Sequence, residues 1–560
     1  MKNSNSDNWY VADFETTTFE YYQKYGCTKV WLYAISNPDG EIVNWGEDIN
    51  EFFKFIKTLN GSIVYFHNLK FDGSFILNYF IRQKLQYKDK ITFKDAGCYN
   101  TLISDIGQFY QITYHPHRGC TIKFQDSLKI IPFKVEKIAK DFKLPMLKGH
   151  INYNDYTVNE TTKAYVFNDV KIVALALREL KALGLTQMTT ASCAYNNFTV
   201  DFKFMNEYFP QLDTEFLEEY RLAYRGGRCQ VNPLYEGQIL YNVKRYDVNS
   251  MYPAVMSFYD LPFGKPIRCT VPGHYKFELY KVDIKFKLKE GHLPSLLKKN
   301  VMWAEGSYYI ESDGLETMYI SNIDLQILER HYDIESLIYL EIFGFRTING
   351  LFKNYIDKWY MIKSQNVGAK RAIAKLMLNS LYGKFGSRCK GASKIPYLDE
   401  EGVLCFATTP ELDMKKYYLP VAIAIVSYAH LIIDDAIVST GFDKFVYCDT
   451  DSVHTLGDLD RSIVDNLLLG KFKLEAVELK SKYIRQKTYC FCELGKDNEI
   501  EYTITCAGMN DATKQYLLDT EKENVFNVFD KGLTIEGYKL LPMQVPGGTV
   551  LVPSTFTLKE

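Results

Sequence analysis

The sequence predicts a multidomain protein in which an α/β domain precedes a larger α+β region. At 560 residues, with 47% hydrophobic and 24% charged residues, the chain is long enough to bury several cores. Residues 1–180 alternate short β-type runs with amphipathic stretches, which is typical of an α/β domain. From about residue 190, β-type runs near 240–285 and after 440 flank a long helical segment near 353–386 and an apolar helix at 420–438.

Composition narrows the class of protein. The net charge of −2 results from 66 basic and 68 acidic residues, so composition alone does not indicate a nucleic-acid-binding tail. Except for Cys490 and Cys492, the 12 cysteines lie far apart in the sequence and show no repeated spacing. This distribution favours reduced thiols over zinc sites or disulfides. The first residues lack the apolar run of a secretory signal, and the apolar run at 417–433 contains Pro420, which favours a buried helix over a membrane anchor. We expect a soluble cytoplasmic protein.

Four acidic residues of the α/β domain lie in three short motifs that can carry chemistry. In VADFETTT, Asp13 and Glu15 lie two residues apart on a strand-like segment and therefore point to one face. FHNLKFDG places Asp72 after a second apolar strand, and YVFNDV places Asp169 one helical turn after Tyr165. Four carboxylates from three segments can hold two metal ions about 4 Å apart for phosphodiester hydrolysis. Tyr165 would then stand beside the attacking water.

The motif YCDTDS, residues 447–452, closes an apolar run. Alternation along a strand places Asp449 and Asp451 on one face, where their charges repel unless a cation lies nearby. For an isolated DxD, a polar hairpin turn is the alternative interpretation.

A partner for this motif is YDVNSMYP, in which Asp247 ends a β-type run. Asp247 and Asp451 would bracket the primer 3′-hydroxyl and the triphosphate in two-metal nucleotidyl transfer, and the Val248 carbonyl is a further candidate ligand. Ser250 and Tyr252 follow in a predicted turn. A rigid tyrosine ring beside the incoming sugar leaves no room for a 2′-hydroxyl.

The third element is the stretch KSQNVGAKRAIAKLMLNSLYGKFG, which is predicted to form a helix. Lys375, Asn379 and Tyr382 are spaced i, i+4, i+7 and share one face, and we expect the helix to end at Gly383 or Gly386. A cationic face with an aromatic side chain suits a triphosphate and a stacked base. A solvated lysine face is the alternative.

Taken in order, these motifs resemble those of family B DNA polymerases. DxE, Nx₃D and Yx₃D resemble the three motifs of the attached proofreading nucleases, and DxxSxYP, Kx₃NSxYG and YxDTDS resemble polymerase motifs A, B and C. AYRGGR at 223–228 is similar to the YRGG link between the two modules, and RQKTY to the KxY motif. In that motif we expect Lys487 and Tyr489 on one strand face, where they would suit primer phosphates. The protein-primed polymerases of small tailed bacteriophages resemble the chain over nearly its whole length, including CAGM at 506–509 and VPGG at 545–548.

The resemblance implies an architecture. It implies a ribonuclease-H-like 3′–5′ exonuclease domain followed by a right-hand polymerase domain. The implied segments are exonuclease 1–188, palm 189–258 and 415–515, first insertion 259–352, fingers 353–389, second insertion 390–414 and thumb 516–560.

It also implies roles for residues. In the nuclease, Asp13, Glu15, Asp72 and Asp169 would bind metal, assisted by Lys143. Single-stranded DNA would contact Thr16, His67, Asn68, Phe71, Phe75, Ser127 and Leu128. In the polymerase, Asp247, Val248 and Asp451 would bind metal, with Asp449 in support. Nucleotide would contact Ser250, Tyr252, Lys363, Lys375, Asn379 and Tyr382, and DNA would contact Tyr224, Arg225, Gly226, Gly227, Lys487 and Tyr489.

The implied function is DNA-directed DNA synthesis on a linear phage genome, primed by a terminal protein, with strand displacement and proofreading. The implied partners are primer-template and single-stranded DNA, deoxynucleoside triphosphates and the terminal protein, bound by a monomer or a heterodimer in the host cytoplasm. Two Mg²⁺ per site are expected, and Mn²⁺ fits the same ligands. The alternatives are a polymerase without effective proofreading, an inactive DNA-binding factor, and an RNA-copying enzyme, which usually has adjacent palm carboxylates.

Overall fold

A computed structural model describes residues 8–92, 94–146, 148–298 and 307–559. Residues 1–7, which belong to the stretch in which the sequence predicts no secretory signal, lie outside the described ranges. Helices and strands are numbered in chain order along these ranges.

The N-terminal region is an eight-stranded mixed sheet with the order β3-β2-β1-β4-β8-β7-β6-β5. Its strands are β1 (Trp9–Thr16), β2 (Val30–Ser36), β3 (Ile42–Gly46), β4 (Ile63–Phe66), β5 (Gln86–Tyr87), β6 (Cys98–Ile103), β7 (Phe109–His115) and β8 (Ile122–Asp126). Its helices are α1 (Phe19–Tyr25), α2 (Ile49–Ile56), α3 (Leu69–Arg82), α4 (Val135–Asp141) and α5 (Glu160–Ala182). β2, whose seven residues are all buried, runs antiparallel to β1, while β4 runs parallel to it. A capping box between Asn159 and Thr162 starts α5.

Three helices lead from this region to a seven-stranded antiparallel sheet with the order β23-β22-β21-β10-β20-β19-β9. The helices are α6 (Thr190–Asp201), α7 (Met205–Tyr208) and α8 (Thr214–Tyr220). The strands are β9 (Cys229–Val231), β10 (Ile239–Val248), β19 (Phe445–Asp449), β20 (Ser452–Thr455), β21 (Phe472–Arg485), β22 (Thr488–Leu494) and β23 (Ile500–Cys506). Helices α9 (Met251–Phe258) and α13 (Leu419–Thr440) pack together beside this sheet.

The segment between α9 and the predicted fingers forms its own sheet, with the order β11-β14-β12-β13. It comprises β11 (Asp260–Cys269), β12 (Phe277–Leu288), β13 (Glu316–Ser321) and β14 (Tyr332–Asn349), with α10 (Asn322–His331). The fingers segment that follows contains two helices, α11 (Lys353–Gln365) and α12 (Ala369–Phe385). The single long helix predicted there is therefore wrong. Gly368, with φ of 62°, breaks it, and Gly386 follows the last turn of α12.

Two short strand pairs follow α12, and the inner pair reaches back to the N-terminal sheet. In the second predicted insertion, β15 (Lys390–Gly391) pairs with β18 (Leu412–Asp413), and β16 (Lys394–Leu398) pairs with β17 (Leu404–Thr408). Leu404 is buried in the N-terminal core, and the Phe406 ring centroid lies 5.8 Å from that of Phe109.

The C-terminal region consists of α14 (Asp511–Glu521), α15 (Val525–Val528) and the hairpin β24 (Thr534–Val545) and β25 (Gly548–Thr557). Its tip lies against α3, where the Thr549 Oγ1 to Ser74 Oγ distance is 2.8 Å. It also contacts the loop before β2, where the Thr28 N–H donates to the Pro546 carbonyl at 2.9 Å. A Cβ added at Gly548 would overlap the Phe75 ring.

The apolar helix α13 is the one helix in the described ranges that is long and apolar enough to cross a membrane. Of its most apolar window, 72% is buried inside the protein. Its residues Leu419–Ile425 belong to a hydrophobic core that continues through α12 to α5 and β1. The prediction of a buried helix is confirmed.

Two candidate active sites

A cavity of about 690 Å³ lies between β10, the turn after β19 and helices α11 and α12. Its lining contains all the residues predicted to bind metal or nucleotide in the polymerase half. They are Asp247, Val248, Ser250, Tyr252, Lys363, Lys375, Asn379, Tyr382 and Asp451. Residues separated by two hundred positions in sequence thus meet in one cleft.

Asp247 and Asp451 come together because their strands are neighbours. β10 and β20 are antiparallel with Asp247 opposite Ser452, and the Val248 N–H donates to the Asp451 carbonyl at 2.8 Å. Burial, followed by the charges of Asp451 and Glu475, raises the pKa of Asp247 to about 7. Burial also raises the pKa of Asp451. A pair of carboxylates in a poorly hydrated cleft favours a bound cation.

Asp449 faces a different partner. Thr450 has φ of 60° and places Asp451 in the turn, so the two carboxylates do not share a strand face as alternation predicted. Lys487 Nζ lies 2.6 Å from both carboxylate oxygens of Asp449. Lys487 itself lies in the turn between β21 and β22 with φ of 53°, and not on a strand beside Tyr489 as predicted. Tyr489 stacks on Tyr483 with ring centroids 5.2 Å apart.

The fingers contribute one face of α12. Lys375 and Asn379 are exposed to the cleft, whereas Ile373, Met377 and Leu381 are buried. At the base of the cleft, the rings of Tyr252 and Tyr382 stack with centroids 4.0 Å apart.

The helix break moves Lys363 away from α12. This lysine lies at the end of α11, where Nζ donates to Ser250 Oγ at 3.0 Å. Ser250 adopts a left-handed conformation with φ of 52° and starts α9, so Tyr252 and Pro253 are helical and not part of a turn.

Four further charged residues line this cavity that sequence reasoning missed: Asp141, Arg371, Lys473 and Glu475. Arg371 lies one helical turn before Lys375, so its spacing could have revealed it. Lys473 pairs opposite Asp247 and Glu475 lies two residues further along β21. Finding them required knowledge of the strand pairing.

A second cavity, of about 190 Å³, lies beside β1 and α5 in the N-terminal region. Asp13, Glu15, His67, Lys148, Tyr165 and Asp169 are among its lining residues. Burial and the charge of Asp169 raise the pKa of Asp13 to about 7. Burial and the charge of Asp13 raise the pKa of Glu15, and likewise that of Asp72 on α3, well above the ordinary range. Asp13, Glu15 and Asp169 therefore share the cavity, and Asp72 lies outside its lining but close enough to Asp13 and Glu15 for their charges to act on it.

The lysine at this site is Lys148. Its Nζ lies 2.7 Å from Asp169 Oδ2 and 5.2 Å from the centroid of the Tyr165 ring. The predicted Lys143 instead has φ of 53°, and its side chain lies against the backbone of Gly368 in the fingers. The structure therefore differs from the resemblance-based assignment, because the loop after α4 turns Lys143 toward the polymerase half.

The predicted single-strand contacts divide into two groups. Thr16, Asn68, Phe71 and Leu128 keep exposed surface, and the Asn68 N–H donates to Asp126 Oδ1 at 3.0 Å. Phe75, at 1% exposure, and the fully buried Ser127 offer no surface to a base. His67 contacts Ser127 Oγ at 3.0 Å and the Phe133 carbonyl at 2.7 Å, and burial lowers its pKa to about 4.

The YRGG link lines another cavity, of about 540 Å³, on the other side of Tyr252 and Tyr382. Tyr224, Gly226 and Gly227 are on its wall. Arg225 is buried, and its guanidinium donates to the carbonyls of Leu297 and Tyr319, each at 3.2 Å. Arg225 also lines this cavity, and its guanidinium ties the link to the predicted first insertion. Its contact with DNA stays a prediction.

The donors at both sites fit a hard divalent cation. No three His, Cys, Asp or Glu side chains within the described ranges are gathered closely enough to hold an ion by themselves. Mg²⁺ usually binds through one or two carboxylates together with substrate phosphates, which matches the Asp247 and Asp451 pair. In the N-terminal site, Asp169 Oδ1 is buried and has no hydrogen-bond partner among the described residues, which leaves an oxygen for a cation.

Comparisons with known proteins agree with this architecture. Residues 56–466 match the family model of type B DNA polymerases, organellar and viral. The DNA polymerases of Bacillus phage Nf and Bacillus phage phi29 are 35% and 36% identical to the chain; the matches cover 99% and 98% of it, and 100% and 99% of those proteins.

Solved structures of the phi29 polymerase also match. The complexes with primer-template DNA and incoming nucleotides and with single-stranded DNA each give a TM-score of 0.88, at 35% and 34% identity, over 98% of this chain and 100% of theirs. The multidomain fold predicted from the sequence, an exonuclease domain followed by a polymerase domain, is therefore confirmed. The chain belongs to the type B DNA polymerases of organelles and viruses, as a homologue of the phage phi29 enzyme.

Proposed function

We propose that this DNA polymerase extends a primer at the 690 Å³ cleft by two-metal nucleotidyl transfer. The observation that carries the proposal is the meeting of Asp247 and Asp451 with the cationic face of α12 in one cavity. Lys375 and Lys363 would bind the triphosphate, and Tyr252, stacked on Tyr382, would exclude a 2′-hydroxyl.

Asp247 and Asp451, with the Val248 carbonyl, would hold two Mg²⁺. When bound, these ions activate the 3′-hydroxyl and stabilise the leaving pyrophosphate. The role of the chain's own residues is to orient the primer end and the triphosphate, with Lys487 fixing Asp449 beneath the primer.

We further propose that the N-terminal cavity removes mispaired nucleotides by 3′–5′ hydrolysis. Asp13, Glu15, Asp72 and Asp169 supply the oxygen ligands for the metal ions, and the Tyr165 hydroxyl would orient the attacking water. Burial raises the pKa of all four carboxyl groups, and repulsion between carboxylates adds to the shift of Asp13, Glu15 and Asp72. This supports a cation site, since a bound cation, like a proton, offsets both costs.

The partners follow from the family. The phi29 polymerase has been solved with primer-template DNA, nucleotides and single-stranded DNA, and we propose the same substrates here. We also propose protein-primed initiation and strand displacement, with the two insertions contacting the terminal protein and the displaced strand, as the resemblance implies. With a candidate terminal protein and one labelled deoxynucleotide, initiation yields a labelled protein on a denaturing gel.

The test of the two sites uses an end-labelled, 3′-recessed primer with Mg²⁺. We expect extension with nucleotides and stepwise shortening without them. Asp451→Ala should abolish extension and preserve shortening, and the double variant Asp13→Ala with Glu15→Ala should do the reverse. Loss of both activities in a variant that remains folded by circular dichroism contradicts separate sites, and shortening without extension in the wild type contradicts the polymerase assignment.

A further inference from the structure

The turn that carries the catalytic carboxylates rests on the residues immediately after the YRGG link. The Thr450 N–H, between Asp449 and Asp451, donates to the Arg228 carbonyl at 2.7 Å. Gly227 faces the same residue: a Cβ at position 227 would lie 2.8 Å from Thr450 Oγ1. Asp449 is also paired opposite Cys229. The backbone of residues 227–229 therefore fixes the position of Thr450, whose left-handed conformation separates the two carboxylates.

The Arg228 side chain points away from this turn into the protein interior. Its Nη1 lies 2.6 Å from Asp434 Oδ1 on α13, and the two side chains are 2% and 0% exposed. Its Nε lies 3.3 Å from Gln230 Oε1, and its Nη2 lies 3.5 Å from the Pro294 carbonyl. The side chain is thus held at three of its nitrogens.

Asp434 is itself fixed by the first insertion. His331 Nε2 lies 2.8 Å from Asp434 Oδ1, and Arg330 Nη1 lies 2.7 Å from Asp434 Oδ2. Both partners belong to the end of α10. The hydrogen bond from His331 and the charge of Arg228 hold the pKa of Asp434 below its usual range. One buried carboxylate therefore ties α13, α10 and the residue after the YRGG link together.

A buried ion pair contributes little to the stability of the fold, because removing both charges from water costs about as much free energy as their attraction provides. The contact between Arg228 and Asp434 does, however, have a fixed geometry, and Arg228 connects it covalently to the backbone that contacts Thr450. Two backbone bonds, Cα–C and C=O, lie between the Arg228 side chain and the carbonyl oxygen that accepts the Thr450 N–H. Both ends of Arg228 are therefore held, the guanidinium by Asp434 and the carbonyl oxygen by the Thr450 N–H.

We propose that Arg228 and Asp434 are positioning residues for nucleotide addition: the buried pair holds the Arg228 carbonyl, and that carbonyl holds Thr450 so that Asp451 faces Asp247. The proposal rests on the proposed assignment of Asp247 and Asp451. It gives the first insertion a mechanical link to the polymerase centre, through Arg330 and His331.

The test compares Asp434→Asn with Asp435→Asn. The control is the neighbouring residue on α13, which pairs with Arg330 at the surface, with its side chain 57% exposed. We measure the single-turnover extension rate at saturating nucleotide, the KM for nucleotide, the primer-shortening rate and the thermal midpoint on the same preparations. Amide hydrogen exchange of the peptide covering residues 447–453 reports on the turn directly.

For Asp434→Asn we expect a ten- to hundredfold lower extension rate, because a shift of about 1 Å at a reacting centre has an effect of this order. The KM and the shortening rate should remain within about twofold, and exchange in residues 447–453 should become faster. Asp435→Asn should match the wild type in each measurement.

A second variant, Arg228→Lys, tests the same proposal in case Asp434→Asn does not fold. Arg228→Lys keeps the buried charge paired but removes the fork that reaches Gln230 and Pro294, and the same change in extension rate is expected to a smaller degree. Wild-type extension rates in folded variants, or equal losses of extension and shortening, overturn the proposal. A wild-type protein that does not extend primers overturns the proposed function itself.

Discussion

Lys487 holds both carboxylate oxygens of Asp449 at 2.6 Å, while Asp451, two residues later, faces Asp247 across the cleft. The two aspartates of one short motif therefore have different surroundings. Asp449 is neutralised by a lysine from the KxY turn, and Asp451 has a second carboxylate as its neighbour.

This difference predicts unequal effects of the same substitution. Asp451→Asn should lower the single-turnover extension rate by roughly a hundredfold or more, since it removes a charge at the reacting centre. Asp449→Asn should lower it less and should weaken primer binding, because Lys487 loses its anchor. Rates and primer affinities are measured at saturating nucleotide. Equal losses of rate would contradict the separate roles.

The raised pKa values predict how stability depends on pH. Asp247 and Asp13 have a pKa of about 7 in the folded protein, against about 3.9 when unfolded. The folded state therefore binds more protons between these values, so the free energy of unfolding without metal should fall as the pH rises from about 4 to about 7. Thermal unfolding in EDTA checks this. Asp247→Asn should show a shallower fall, and a parallel curve would contradict the shift at Asp247.

The two glycines of the YRGG link form a matched pair. A Cβ at Gly226 meets nothing within 4 Å, whereas a Cβ at Gly227 would lie 2.8 Å from Thr450 Oγ1. Gly227→Ala should therefore displace the catalytic turn and lower the extension rate by about a hundredfold, while Gly226→Ala should have little effect. Steady-state extension assays on both variants check this. The prediction is wrong if Gly226→Ala is the more damaging change.

Lys148 and Lys143 can be distinguished by the same approach. Lys148→Ala removes the ammonium that holds Asp169 and should lower the rate of primer shortening about ten- to hundredfold, as loss of a partner of a metal ligand usually does. Lys143→Ala should have the smaller effect, because its side chain lies against Gly368. Shortening of a labelled single strand is the assay. The opposite order would restore the assignment made from the resemblance.

The tip of the C-terminal hairpin gives a stability prediction. A methyl group at Gly548 would overlap the Phe75 ring, so Gly548→Ala should destabilise the protein by about 1–3 kcal/mol through overpacking. Thr557→Ala, at an exposed position of the same hairpin, is the control. Chemical unfolding measures both, and an unchanged midpoint for Gly548→Ala would show that the tip is not seated as described.

Local patterns predicted the parts of the site that depend on one element. The i, i+4 spacing of Tyr165 and Asp169, and that of Lys375 and Asn379, places each pair on a single helix face, and the structure brings each pair to its cavity. The order of the motifs then predicted the fold through the resemblance. None of these predictions needed knowledge of which segments meet in space.

The differences arise where a single backbone angle or a distant contact decides the outcome. Thr450 and Lys487 have positive φ, which cancels the alternation expected for a strand. Gly368 breaks what composition presents as one continuous helix. Gly548 contacts the Phe75 ring from more than 470 positions later in the sequence, and Glu475 enters the cleft because β21 pairs with β10. Neither the contact between Gly548 and Phe75 nor the pairing of β21 with β10 can be recognised from the local sequence.

The contact of the C-terminal hairpin with α3 also has a consequence during synthesis. The ribosome releases the N-terminal region first, when the segment that covers Phe75 and accepts the Thr28 N–H has not yet been made. That surface therefore stays open until the last residues of the chain emerge. A prematurely terminated chain leaves the Phe75 ring without its contact with Gly548 and the Thr28 N–H without its acceptor, and incompletely packed chains of this kind are the ones that chaperones bind.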